Sequence, residues 1–311
     1  MAPFDLKEEI LRLKEKRNAI ILAHSYQTGD IQDMADYVGD SLGLAYKAQN
    51  TDCDVIAFCG VHFMAETAKI LNPDTTVILP DADAGCSLEA SCDAGELEAF
   101  LKENAHKNYY VVAYVNCSIG VKALADVIVT SGNAVKIVSQ APEDRPILFV
   151  PDQNLGAWVS RQLGRPLELW NGACHVHMEF TRDQILALKE KHPGVPVVAH
   201  PECTEAVRLL ADHICSTEKM IPYCTENPAK SFIIVTESGI LHRLRKLVPG
   251  KEFIPAPTEQ CSCSTCPYMK MNTLEKLYLA LRDLSPAVKL PKDLRRRAEA
   301  PLLRMLEQSQ S

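Results

Sequence analysis

The chain carries no excess of basic residues. Its 33 lysines and arginines are outnumbered by 40 aspartates and glutamates, for a net charge of −7 over 311 residues. A general nucleic-acid surface is therefore disfavoured, although a local basic pocket remains open. No apolar run approaches the ~20 residues needed to cross a bilayer. The first residues, Met1-Ala2-Pro3-Phe4-Asp5, do not form the apolar core of a signal peptide. The expectation is a cytoplasmic protein without membrane or nucleic-acid partners. The close-set trio of cysteines near an N-terminus that marks radical chemistry is also missing. Cysteine itself is abundant, at 12 residues. In a reducing compartment these do not read as a disulfide framework. The run Cys261-Ser262-Cys263-Ser264-Thr265-Cys266 instead suggests a metal or redox site, yet no fourth ligand lies nearby in sequence.

What else reaches that run follows from a pattern that occurs three times. A helix-capping tetrad opens each copy: Asp5-Leu6-Lys7-Glu8, Asp93-Ala94-Gly95-Glu96 and Thr181-Arg182-Asp183-Gln184. A short apolar strand follows and ends at His24, Asn116 or His200. An Ala-Asp pair comes next, at 35–36, 125–126 and 211–212, the first of them read as helical. Ser41, Ser131 and Thr217 then follow in what read as loops. After a second strand, a helix and a third strand, each copy closes on a cysteine: Cys86, Cys174 or Cys266. The three cysteines lie 88 and 92 residues apart. Such fixed-period similarity outranks local readings. It divides the chain into repeats at 1–92, 93–180 and 181–271, with a helical tail at 272–311.

Strands alternating with helices predict an α/β protein of three similar three-layer αβα domains, each with a small parallel sheet, around a pseudo-threefold axis. Ligands of such sheets bind at the carboxyl ends of the strands. All nine landmark residues fall on that edge of their own sheet, so they are expected around one central cavity. Three thiolates there suit an iron–sulfur cluster with one iron free of protein ligands, and that iron is a Lewis acid. A three-thiolate zinc site and an electron-transfer cluster remain alternatives.

His24, His177 and His200 are expected beside the cavity, as hydrogen-bond donors or proton carriers. Glu202 is a candidate general acid or base. Tyr26 and Tyr114 offer phenolic protons. Ser41, Ser131 and Thr217 offer hydroxyls and helix-start amides for carboxylate or phosphate, although each taken alone is an ordinary cap. Cys53, Cys59, Cys92, Cys117, Cys203, Cys215 and Cys224 read as small buried apolar residues.

Several stretches carry a family resemblance. They include Ile21-Leu22-Ala23-His24-Ser25-Tyr26-Gln27, Val38-Gly39-Asp40-Ser41-Leu42, Tyr114-Val115-Asn116, Pro151-Asp152-Gln153-Asn154-Leu155-Gly156, His200-Pro201-Glu202-Cys203 and Cys266-Pro267-Tyr268-Met269-Lys270-Met271-Asn272. The chain resembles the quinolinate synthase family, iron–sulfur enzymes of NAD biosynthesis. The resemblance implies condensation of iminoaspartate, made by a partner L-aspartate oxidase, with dihydroxyacetone phosphate, releasing phosphate and water. It implies a 4Fe–4S cluster on Cys86, Cys174 and Cys266. It implies substrate binding at His24, Ser41, Tyr114, Val115, Asn116, Ser131, His200, Pro201, Glu202 and Thr217. Acid–base and closing roles fall to Tyr26, Tyr114, His200 and Glu202. The spacing Cys261-x-Cys263-x-x-Cys266 departs from the Cys-x-x-Cys-x-x-Cys of some members, and His175 matches no family role.

Overall fold

The computed structural model describes residues 5–258 and 264–310. Cys261 and Cys263 lie outside the described residues. Among the described residues, twelve strands form three parallel sheets of four. The first holds β1 (Ala19–His24), β2 (Tyr37–Gly39), β3 (Val55–Cys59) and β4 (Thr76–Ile78). The second holds β5 (Tyr110–Tyr114), β6 (Val127–Val129), β7 (Ile147–Val150) and β8 (Glu168–Leu169). The third holds β9 (Val197–Ala199), β10 (His213–Ile214), β11 (Ser231–Val235) and β12 (Glu252–Pro255). Their spatial orders are β2-β1-β3-β4, β6-β5-β7-β8 and β10-β9-β11-β12, the same arrangement three times. Helices pack on both faces, so each sheet is the middle of three layers, as expected from sequence.

The burial pattern explains the layering. Parallel strands covered on both sides are apolar without a break. Val55–Cys59 and Tyr110–Tyr114 are buried at every position. Alternate residues feed opposite cores. Ile21 and Ala23 pack with Ile10 and Leu13 of the helix Leu6–Lys16. Leu22, Ile56 and Phe58 face the larger core shared with the second sheet. In the third sheet Phe232 and Ile234 face one core, and Ile233 and Val235 the other.

The opening caps form as predicted. Asp5 accepts the N–H groups of Lys7 and Glu8, and Asp93 those of Gly95 and Glu96. Thr181 and Gln184 make a reciprocal capping box. Ala35-Asp36, read as helical, is not: the helix is Gly29–Met34 and Ala35 is extended. The Asp is a strand clamp instead. Asp36 Oδ2 accepts the N–H of Ile21 at 2.8 Å, while its own N–H donates to Ile21 O at 2.9 Å. Asp126 does the same to Val111, and Asp212 to Val197. A second correction concerns Ser41 and Thr217, which are not loop residues. Each follows a strand of two or three residues and opens a helix, Ser41–Gln49 or Thr217–Glu226.

The tail is helical as expected, at Leu274–Asp283 and Lys292–Gln310, with Thr273 capping the first. The last helix straps two sheet systems together. Leu306 O accepts from the Tyr46 hydroxyl at 2.8 Å, and Ser309 Oγ accepts from Asn133 Nδ2 at 2.8 Å.

Candidate active site

The carboxyl edges of the three sheets border a common cavity with an empty volume of about 690 Å³, its open mouth included. His24 ends β1 and Tyr26 follows it, Tyr114 ends β5 and Asn116 follows it, and His200 and Glu202 follow β9. Ser41, Ser131 and Thr217 join the wall just after β2, β6 and β10. Cys86, Cys174 and Cys266 complete it. Of the residues expected at the site, Val115 and Pro201 are not part of this wall. Val115 is buried behind it, beside a smaller void with Phe63 and Met64. Pro201 is buried, and its carbonyl accepts from Arg208 Nη1 at 2.8 Å.

The thiols share one local geometry. Cys86 and Cys174 are the N-caps of the short helices Ser87–Ala90 and His175–Met178, and Cys266 precedes the 3-10 turn Met269–Met271. Burial pushes Cys86 up to about 12, while the N–H groups of Glu89 and Leu88 pull the other way. Cys174 is raised by burial and by the Glu202 charge, against the N–H of His177. Burial pushes Cys266 up to about 11, against the N–H groups of Met269 and Tyr268. Thiols buried this far ionise only with a cation at hand. Three soft donors from three sheets, each at the start of a helical turn whose amides face sulfur, fit a cluster of iron and sulfide.

Cys174, His177 and Glu202 also approach within 4.8 Å of one another. Within this trio one ring nitrogen of His177 faces Glu202 at ion-pair distance, outside hydrogen-bond geometry, and the other is hydrogen-bonded. Nδ1 lies 2.8 Å from Glu202 Oε2, and Nε2 lies 2.9 Å from Thr236 Oγ1.

Those contacts belong to a longer chain. The Tyr26 hydroxyl is 2.7 Å from Thr236 Oγ1 and 2.8 Å from Thr217 Oγ1. Tyr26, Thr236, His177 and Glu202, drawn from all three repeats, thus lie in a row, the first three hydrogen-bonded and the last at ion-pair distance. His200 stacks on His177 with ring centroids 4.8 Å apart. Burial opposes charge on Glu202, but the His177 imidazole and a hydrogen bond from Tyr114 outweigh it and hold the carboxyl below the ordinary carboxylate range. Burial raises both phenols: Tyr26, and Tyr114 with the Glu202 charge adding to it, so both keep their protons.

Two histidines are prepared as donors. His24 Nδ1 accepts the N–H of Tyr26 at 3.1 Å, and His200 Nδ1 that of Glu202 at 3.4 Å. Each neutral ring then carries its proton on Nε2, and His200 Nε2 lies 3.1 Å from Ser131 Oγ. Burial, with the Lys270 charge, lowers His24 to about 3. Burial, against the Glu202 charge, lowers His200 to about 3.

Thr236 and Glu237 were not singled out in the sequence. They follow β11 at the carboxyl edge, a position from which they could have been found. Glu237 accepts the N–H of Cys266 at 3.1 Å and that of Gly239 at 2.6 Å, and pairs with Lys270 at 2.9 Å. It therefore anchors the third thiol. Arg208, also not singled out, donates from Nη1 to the carbonyls of Asn154, Pro201 and Cys203, at 2.6, 2.8 and 2.8 Å. It pins the loop that carries Glu202.

Fold and cavity together define a three-sheet α/β enzyme whose centre is walled by one thiol from each third of the chain. The family model described as quinolinate synthetase A protein, NadA, matches residues 8–307. The chain is 52% identical over 308 residues to a quinolinate synthase of Microcystis aeruginosa, covering 99% of this chain and 96% of that one. It is 53% identical over 309 residues to a quinolinate synthase of Thermosynechococcus vestitus, with 99% and 96% covered. For a quinolinate synthase of Prochlorococcus marinus the figures are 51% over 303 residues, with 97% and 90% covered. The chain belongs to the quinolinate synthase (NadA) family. Among the described residues no helix is long and apolar enough to cross a membrane.

Proposed function

We propose that the protein condenses iminoaspartate with dihydroxyacetone phosphate to form quinolinate, releasing phosphate and water. Cys86, Cys174 and Cys266 hold a 4Fe–4S cluster, and an L-aspartate oxidase supplies the imine. The observation that carries this reading is the meeting, in one cavity, of three thiols with the chain Tyr26–Thr236–His177–Glu202. The names of the relatives support the product. When bound, the cluster supplies a Lewis-acidic iron that makes a substrate hydroxyl a better leaving group.

The chain's own residues do the rest. Ser41 and Thr217 present helix-start hydroxyls and amides to a carboxylate, and Ser131 adds a third hydroxyl. His24 and His200 donate from Nε2. Asn116 Oδ1 is buried without a partner and accepts from an imine N–H. Tyr114 and Asn116 shape the wall around these groups, and Val115 and Pro201 support it from behind through the backbone they share with it. Tyr26 gives and regains its proton through Thr236 and His177, with Glu202 as the terminal carboxylate. Tyr114 stabilises charge on Glu202, and His200 holds His177 in place by stacking on its ring. The repeat boundaries at 92, 180 and 271 mark the domains whose edges form the site.

Anaerobic loading with iron and sulfide, followed by a quinolinate assay, tests the reading. Cys174→Ser is expected to lose both the chromophore and turnover. A brown, active Cys174→Ser protein would refute the ligand set.

A further inference from the structure

The residues that follow two of the thiols hold each other. Ser87 comes directly after Cys86, and His175 directly after Cys174. The backbone N–H of His175 donates to Ser87 Oγ at 3.1 Å, and His175 Nδ1 lies 3.0 Å from the same oxygen. Having accepted that N–H, the hydroxyl has its own proton to place. Ser87 Oγ has no other partner among the described residues, so the proton goes to Nδ1. An imidazole that accepts at Nδ1 carries its hydrogen on Nε2.

His175 borders the cavity, and its Nε2 is buried without a hydrogen-bond partner. Tyr268, two residues after Cys266, meets the ring edge-on at 5.9 Å and 85° and limits its rotation. The ring is therefore held by residues within two positions of each thiol. Buried donors without acceptors are rare in native proteins. His175 lines the same cavity as Cys86 and Cys174, so that an acceptor for Nε2–H would come from a group bound there.

We propose that His175 Nε2–H donates a hydrogen bond to sulfur of the iron–sulfur group held by Cys86, Cys174 and Cys266, and so raises its reduction potential. The inference rests on the cluster reading above. Hydrogen bonds to sulfur stabilise the more negative, reduced state of a cluster. Ser87 fixes the tautomer and angle of the ring, and His175 makes the contact.

The test is a reductive titration of the loaded protein, without substrate, followed by electron paramagnetic resonance. Leaving substrate out separates sulfur from a substrate carboxylate as the acceptor. His175→Phe keeps the packing against Tyr268 and removes the donor, and its midpoint potential is expected to move negative. His175→Gln restores an N–H donor and recovers part of that shift. Ser87→Ala moves the potential the same way by less. A parent-like potential in His175→Phe overturns the proposal, as does a Gln variant indistinguishable from Phe. If His175→Phe fails to keep its cluster, Ser87→Ala decides, and a parent-like potential there overturns it. A parent protein that takes up no iron and sulfide instead fails the cluster reading itself, and this inference with it.

Discussion

Glu202 is a buried carboxylate kept charged by its neighbours. His177 Nδ1, 2.8 Å from Oε2, offsets the cost of burying it, while the neutral His200 ring packs beside it with Nδ1 at 3.5 Å. Glu202→Gln preserves size and removes the proton acceptor. Its kcat is expected to fall by about 10²–10⁴, the usual worth of a positioned acid–base group, with iron content unchanged. Steady-state rates on loaded protein check this, and parent-like turnover would remove Glu202 from the acid–base step. Thr236→Val breaks the link between Tyr26 and His177 but leaves the bond from Tyr26 to Thr217. The expected signature is a lower kcat with KM little changed, read from the same assay. Glu202 and Tyr26 were legible in the sequence because their loops repeat or match a motif. Thr236 was not, since a lone threonine after a strand carries no pattern, and only its 2.9 Å approach to His177 gives it meaning.

The elements are tied by a device that occurs three times. Asp36, Asp126 and Asp212 each sit 15 residues after the amide they accept. The clamp sets where the short second strand begins, and so delivers Ser41, Ser131 and Thr217 to the cavity. Asp126→Ala strands the N–H of Val111 and removes the ion pair with Arg145 at 3.3 Å. A buried donor left unpaired costs about 1–3 kcal/mol, so the urea midpoint is expected to fall accordingly, with an unchanged slope. An unaltered midpoint would show that the clamp does not stabilise the sheet. The Ala-Asp landmark was legible, but its role was misread. β2, β6 and β10 have only two or three residues each, too few for a two-residue alternation to register. Their identity as strands comes from pairing with β1, β5 and β9.

Bringing three sheet edges together buries groups that water would otherwise serve. His24 and His200 are lowered to about 3 by burial, against an unfolded value of about 6.5. Above about pH 6.5 both states are neutral there, and the two sites do not penalise folding. Between about 6.5 and 3 the unfolded chain binds protons that the folded one refuses. Stability therefore falls as pH falls through that window, at up to about 1.4 kcal/mol per pH unit for each site. Urea unfolding of the metal-free protein at pH 7 and pH 5 is expected to show the lower midpoint at pH 5. His200→Gln is expected to flatten the dependence, and an equally steep profile would show that other groups carry it.

Periodicity, landmark order and motif spelling already implied three α/β repeats, one cysteine from each, and histidines, hydroxyls and a carboxylate on the carboxyl edges. Those properties are local, because alternation of apolar residues and the place of a residue after a strand are written along the chain. The closure of Tyr26 on Thr236, the double engagement of His177, the anchoring of Cys266 by Glu237 and the locking of His175 by Ser87 were decided only in three dimensions. Each joins residues from 25 to 210 positions apart. No periodic pattern encodes such pairs, because they form only when separate sheets pack edge to edge and a buried polar atom must find its partner across the seam.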